Sequence, residues 1–281
     1  MKSKQNLSTL KHTRNKTQVW QVILVVFYLF YMLLPILSTY IFSVSTRWDR
    51  SILPEGYTFE FYKKATEASY FSSSLRNSLI LSLATIMVSL IIILPTVYWV
   101  NVRLVQAKPF LDILMILPFG IPTVVLALAL IQVYNGTPLG RTPALLVGAI
   151  FIYSMPFMYR PITNSMSSID ALTLTEAGLS LGANIFKILL NIIIPNAFPG
   201  IISGSLLVFA TVFAEFTLTK LILGARFKTF PLLLVEYTRI NGNIAAAFSV
   251  ISFTIAWLIS LLILWAGKKG AGSSIHAPQA H

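Results

Sequence analysis

Glu215 is the ionisable residue that stands out, because it interrupts the apolar stretch V-F-A-E-F-T-L-T-K. A charge inside a membrane span is costly and marks a functional site by default. At helical spacing Thr211 and Thr219 lie four residues to either side and share its face, with Thr217 and Lys220 nearby. Two readings fit. The polar stripe lines a transport path, or the carboxylate pairs with a neighbouring helix or with Lys220 near an outer interface. Asn77 and Gln132, in other apolar stretches, either face an interior or hydrogen-bond a neighbour. Sets that would do covalent chemistry are missing. There are no cysteines, so disulfides and thiolate chemistry are excluded. The three histidines, His12, His276 and His281, sit near the ends, away from any second metal ligand or any nucleophile in need of a base. No G-x-x-x-x-G-K-[ST] loop occurs, so the chain has no recognisable nucleotide site of its own. The expectation is no catalytic residue, no metal and no enzyme activity.

A second constellation runs from Glu176 to Pro195, EAGLSLGANIFKILLNIIIP. It is only moderately apolar, yet apolar blocks long enough to cross a bilayer flank it. Thr173 or Thr175 can cap a helix beginning near Glu176, which would place that carboxylate in the first turn, where the helix dipole favours it. Ala177 and Gly178 are small enough to let another surface come close. Gly182 permits a bend. Leu179, Leu181, Ile185, Leu189 and Ile192 or Ile193 recur at near-helical spacing. Pro195 and Pro199 are expected to stop that helix and start another. The reading is a short helix, a bend and a second helix at the membrane surface.

The spacing E-A-G, three residues, Gly, nine residues, I-x-I-P resembles the EAA loop of binding-protein-dependent ABC importer permeases. Gly178 stands where that family has its second Ala, and Ile194 where it has Leu. The approach S-S-I-D-A-L-T-L-T, with Asp170, is also similar, as are the N-S-L opening at Asn77 and the Arg103 that closes the span after it. The stretch A-E-F-T-L-T-K-L-I-L-G, followed by K-T-F-P-L-L-L, looks most like permeases for polyamines, ferric iron or aminoalkyl-phosphonates. The resemblance implies that Glu176, Ala177, Gly178 and Gly182 form a coupling helix and its turn, seated in an ATPase subunit. It implies further partners: a second permease subunit, either a paralogue or a copy, and an extracytoplasmic solute-binding protein. ATP and magnesium would be held by the ATPase, with no cofactor in this chain. Glu215, Thr211, Thr219 and Asn77 become candidates for the translocation pathway.

The elements that must position these residues are membrane helices. Of 281 residues, 56% are hydrophobic and 11% charged, and the mean hydropathy is +0.77. Soluble domains carry about 25% charged residues. The net charge of +12 therefore reads as flanks of spans among lipid. No basic patch with interleaved aromatics suggests nucleic acid. Six spans of about 20 apolar residues or more are expected. They cover about Val19–Phe42 with a kink at Pro35, Leu75–Val100, Phe110–Tyr134 bent at Pro118 and Pro122, Pro143–Met166, Phe198–Leu223 and Ala245–Trp265.

The fold class is thus all-α, a polytopic bundle of six transmembrane helices with a cytoplasmic coupling helix. Residues 1–18 form a basic cytoplasmic tail, 19–267 the permease domain with its EAA-like loop at 176–195, and 268–281 a second cytoplasmic tail. The first apolar block is too long for a signal peptide. Under this topology 11 of the 21 Lys and Arg lie inside and 10 outside, so the positive-inside bias decides little. The EAA resemblance is what places the loop, and with it both termini, on the inner side of a bacterial cytoplasmic membrane. The rival is a channel or membrane scaffold that needs no ATPase.

Overall fold

The computed structural model describes residues 2–49 and 51–272, with side chains described for 20–49 and 51–267. In chain order the helices are α1 (Lys2–Val44), α2 (Glu60–Thr66), α3 (Phe71–Val102), α4 (Lys108–Ile116), α5 (Thr123–Val133), α6 (Pro143–Ser168), α7 (Ala171–Ser180), α8 (Ile185–Ile188), α9 (Ile194–Phe213), α10 (Thr217–Ile222), α11 (Phe230–Tyr237) and α12 (Gly242–Gly272). Strand pairing among the described residues is confined to a single bridge, Ser45 to Tyr57.

Five stretches are long and apolar enough to cross a membrane: Trp20–Val44, Phe71–Val102, Pro143–Ser168, Ile185–Phe213 and Gly242–Gly267. A further pair, Val105–Gly120 and Thr123–Val133, qualifies only when taken together and meets at 97°, the geometry of a broken span or a re-entrant loop. Its bend falls between the two prolines expected to cause it. Ile121, held extended (φ −103°, ψ 115°), precedes Pro122, whose ring disfavours the helical conformation there. Pro35 does not break α1. The expected tail 1–18 is helical over residues 2–18 and continuous with α1. The expected tail 268–281 begins inside α12, and residues 273–281, with His276 and His281, lie outside the described residues.

The chain divides into two compact units, residues 1–65 with 241–250, and residues 66–240 with 251–281. In the smaller unit the end of α1 is tied to the start of α12. Asn241 Oδ1 accepts from the backbone N–H of Asn243 and Ile244, 3.0 Å each, and caps that helix. Asn243 Nδ2 donates to Phe42 O at 3.1 Å and Ser45 O at 2.9 Å. Residues 20–37 of α1 are all exposed, which suits contact with lipid.

The larger unit packs α3, α6 and α9 around Tyr98, Leu146, Ile150, Met158, Ile162, Met166, Ile193 and Val208. Lipid supplies no hydrophobic drive between membrane helices, so close packing at small residues must hold them together. A Cβ on Gly200 would lie 2.5 Å from Pro161 O, and one on Gly204 would lie 2.8 Å from Met158 Sδ. Those two glycines let α9 press against α6.

Candidate functional site

The connection from α6 to α9 carries the motif. Asp170 opens it in the left-handed conformation (φ 48°), and its carboxylate accepts from Thr173 N at 3.4 Å and Thr173 Oγ1 at 2.7 Å. This caps α7 at Ala171, five residues before the expected start. The expectation of a Thr cap near Glu176 is therefore corrected. Asp outranks Thr as a cap, and Thr173 is spent as its donor. Thr175 is spent inside the helix, where Oγ1 donates to Ala171 O at 2.7 Å. The pattern D-x-x-T, visible in the sequence, was the missed signal. Glu176 sits in the second half of α7, not in its first turn.

One face of α7, Ala171, Thr175 and Gly178, is buried. The Tyr98 hydroxyl, on α3, lies 3.1 Å from Thr175 Oγ1; that oxygen's proton is already given to Ala171, so Tyr98 donates. A Cβ on Gly178 would lie 2.8 Å from Ile188 Cγ1, so glycine in place of the family's alanine seats α7 directly on α8. The opposite face exposes Leu172, Glu176, Ala177, Leu179 and Ser180. Among the described residues no hydrogen bond or ion pair holds the Glu176 carboxylate.

Gly182 then turns the chain, as its type suggested, with φ +78°. Its N–H donates to Leu179 O at 2.9 Å and that of Ala183 to Gly178 O at 3.0 Å, the paired bonds of a Schellman C-cap. Leu181 is left 88% exposed at the corner. Asn184 Oδ1 accepts from Phe186 N at 2.7 Å and starts α8, with the Phe186 ring 70% exposed.

The second helix does not stop at Pro195 or Pro199. Residues Leu189–Ile193 form one π turn, and the axis continues into α9 as a 29-residue span from Ile185. A proline in a helix lacks its N–H and crowds the carbonyl four residues back. The wide turn just ahead of Pro195 gives that carbonyl room. The motif is therefore a short helix, a tight corner and the start of a membrane span.

Glu215 has a different surrounding from the one its spacing suggests. α9 ends at Phe213, so Thr211 on α9 and Thr219 on α10 do not share a helix face with it. Thr211 Oγ1 donates to Leu207 O. The Glu215 carboxylate is buried; Oε1 accepts from Leu218 N at 2.7 Å, and Oε2 from Thr219 N at 3.0 Å and Thr219 Oγ1 at 2.8 Å. It caps α10, whose first N–H groups have no partner within the helix. Lys220 lies over the Phe216 ring, 5.0 Å from its centroid. Asn77 Nδ2 donates to Lys228 O at 2.9 Å, and the adjacent Ser78 Oγ accepts from Phe230 N at 2.8 Å. The N-S-L opening thus pins the segment before α11 onto α3. Gln132 is exposed.

This geometry is a short, bent element joined to two spans, with one face packed on the chain and the other exposed. Residues 102–268 match the family of binding-protein-dependent transport system inner membrane components. The chain belongs to that family. It is an ABC importer permease, a multi-pass inner-membrane protein of a transport family and not of an enzyme class. Similar proteins include a spermidine/putrescine transport system permease protein of Salmonella typhimurium (strain SL1344), 27% identical and covering 92% of this chain and 96% of that protein. A molybdate/tungstate transport system permease protein of Thermococcus kodakarensis is 26% identical over 75% of this chain and 85% of its own length. A putative 2-aminoethylphosphonate transport system permease protein of Salmonella choleraesuis is 24% identical over 88% and 95%. A solved bacterial ABC transporter involved in import of the acidic polysaccharide alginate shares the permease fold, with TM-score 0.69 at 17% identity over 90% of this chain and 96% of that one.

Proposed function

We propose that this permease couples to its ATPase subunits through residues 170–188, with Glu176 and Ala177 in the contact, Gly178 turned inward to seat the coupling helix on α8 rather than touching the ATPase, and Gly182 forming the turn. The observation that carries this is the two-sidedness of α7 and its corner. One side is pinned to Tyr98 and Ile188, while Glu176, Leu179, Leu181 and Phe186 are exposed on the other. Exposed large apolar side chains beside an unpaired carboxylate, at a turn rather than along a span, suit a groove on another protein.

The corner then faces the cytoplasm. With the bent pair counted as a sixth crossing, as expected from the sequence, both termini belong on that same side. ATP and magnesium are held by the ATPase. Closure of the ATPase pair pushes α7, which has two attachments. Through Gly178 against Ile188 it moves the α8–α9 span, and through Thr175 and Tyr98 it moves α3. A swing between populations of 1:99 and 99:1 needs about 5.5 kcal/mol of differential binding. Nucleotide on the partner has to provide it, since a ligand shifts a conformational equilibrium only by preferring one state. A second permease subunit, a paralogue or a copy, completes the pathway, and an extracytoplasmic binding protein delivers the solute. The cargo is a small solute of the polyamine, ferric iron, aminoalkyl-phosphonate or oxyanion kind. The similar permeases are named for spermidine/putrescine, molybdate/tungstate and 2-aminoethylphosphonate, solutes of both signs of charge. A channel or scaffold independent of an ATPase leaves the exposed corner without a purpose.

Glu176→Lys and Leu181→Asp test the coupling. Both positions are exposed, so membrane insertion is expected to be unchanged and co-purification of the ATPase lost. Wild-type yields of ATPase together with normal uptake in both variants would refute the proposal.

A further inference from the structure

We infer that the solute passed by this permease is negatively charged, bearing a carboxylate, a phosphonate or an inorganic oxyanion; the inference rests on the importer reading above. Two cavities with charged side chains in their linings lie in residues 66–240, at opposite ends of α3 and α6. The first, of about 500 Å³, opens between α10 and α11, near the end of α3 that Asn77 and Ser78 pin. Lys220, Lys228 and Arg239 line it, with Glu236 as its one acid. That acid is already neutralised, because Lys228 Nζ lies 2.7 Å from Glu236 Oε2. Lys220 has an aromatic face beneath it and no carboxylate, and among the described residues Arg239 has no ion-pair partner. Phe216, Leu232 and Val235 supply apolar wall, which strengthens the field of the two remaining cations.

The second cavity, of about 340 Å³, lies between α4 and α6 on the α7 side. Lys108 and Arg160 line it with Asp112, Asn164 and Ser167. Asp112 is engaged there too, accepting from the Tyr159 hydroxyl at 2.7 Å. Both cavities therefore carry a net positive charge: two cations beyond the ion pair line the first, and Lys108 and Arg160 outnumber the Asp112 carboxylate in the second.

The other carboxylates of residues 66–240 point the same way. Asp170 caps α7, Glu215 caps α10, and Glu67 has its own interaction. Glu176, the one left unpaired, lies on the coupling corner. A polyamine or a metal cation arriving at the first cavity would meet no unpaired carboxylate in its lining. The cations also sit where topology does not ask for them. With the α7 corner inside, Lys220, Arg226, Lys228 and Arg239 all fall on the outer side, against the usual inner bias of Lys and Arg. A cleft of one sign with low-dielectric walls raises the local concentration and capture rate of an oppositely charged solute by 10 to 1,000-fold. Capture of an anion delivered to the outer mouth accounts for their placement.

The test uses the complete importer with its binding protein in proteoliposomes. Uptake is scored for inorganic phosphate, 2-aminoethylphosphonate and molybdate against spermidine and ferric iron, and the solute carried by the binding protein is identified by mass spectrometry. An anion is expected in both measurements. The double variant K220Q/R239Q is expected to slow its uptake about tenfold at low ionic strength, less at high salt, with ATPase subunits still co-purifying, while K220R/R239K recovers it. Carriage of spermidine or ferric iron overturns the anion assignment and leaves the importer reading standing. A loss of binding-protein affinity in K220Q/R239Q that matches the loss of uptake also overturns it, giving the charge to docking of an acidic protein surface. A chain that never takes up an ATPase subunit overturns both readings.

Discussion

Gly182 offers a perturbation whose size follows from the structure alone. The residue has φ +78°, and a Cβ built there meets nothing within 4 Å. Substitution thus adds no clash inside the chain, and the whole cost is backbone strain. An ordinary L-residue in the left-handed region costs about 1–2 kcal/mol. Alanine belongs at the lower end, and a β-branched side chain at or above the upper end. At about 1.4 kcal/mol per tenfold, Gly182→Ala lowers the equilibrium constant for the bent corner roughly fivefold and Gly182→Val roughly 30-fold. Asparagine tolerates this conformation and serves as a helix-ending residue in glycine's place, so Gly182→Asn stays near wild type. The assay is recovery of the ATPase with tagged permease at limiting ATPase, followed by uptake in proteoliposomes. The expected order is wild type and Asn, then Ala, then Val. Val at wild-type level refutes the requirement for the bend. Asn as weak as Val refutes the strain argument, because bulk against the partner would then explain both.

Tyr98→Phe removes the bond that ties α7 to α3 while leaving the ring in place; a loss of about 1 kcal/mol is expected, read as a lower melting temperature and fewer solutes moved per ATP hydrolysed. Glu215→Ala strands three donors at the start of α10, and a buried cap of this kind is worth about 1–2 kcal/mol or more; thermal unfolding in detergent reads it. Glu215→Gln, which keeps one acceptor, is expected to fall between. Wild-type stability in both variants, with altered solute selectivity, would instead return Glu215 to the pathway.

The membrane helices were legible because hydropathy is a long-range average, and the breaks within them were not. Phe198 to Leu223 is apolar enough to read as one helix, yet it ends at Phe213, because the Glu215 carboxylate captures two backbone N–H groups that a continuous helix would not offer, with the Thr219 hydroxyl besides. Period and polarity suggested a stripe of Thr211, Glu215 and Thr219; the competition between side chain and backbone for N–H groups decided otherwise. The same competition moved the start of α7 from Glu176 to Ala171, since Asp170 outbids the threonines. Pro195 was read as a stop because a proline is costly in a regular α-helix, whereas a π turn relieves the crowding without ending the helix. The bend at Pro118 and Pro122, the corner at Gly182 and the small residue at Gly178 were all legible. Each is a constraint carried by one residue's own covalent structure, independent of what packs around it.

The central claim is that the α7 corner is held by the ATPase. Leu181, at that corner, is 88% exposed, so a photo-activatable cross-linker can replace its side chain without disturbing the core. Irradiation of the assembled transporter is expected to join this position to an ATPase subunit. An adduct with the extracytoplasmic binding protein, or with lipid alone while the ATPase is bound, would contradict the account.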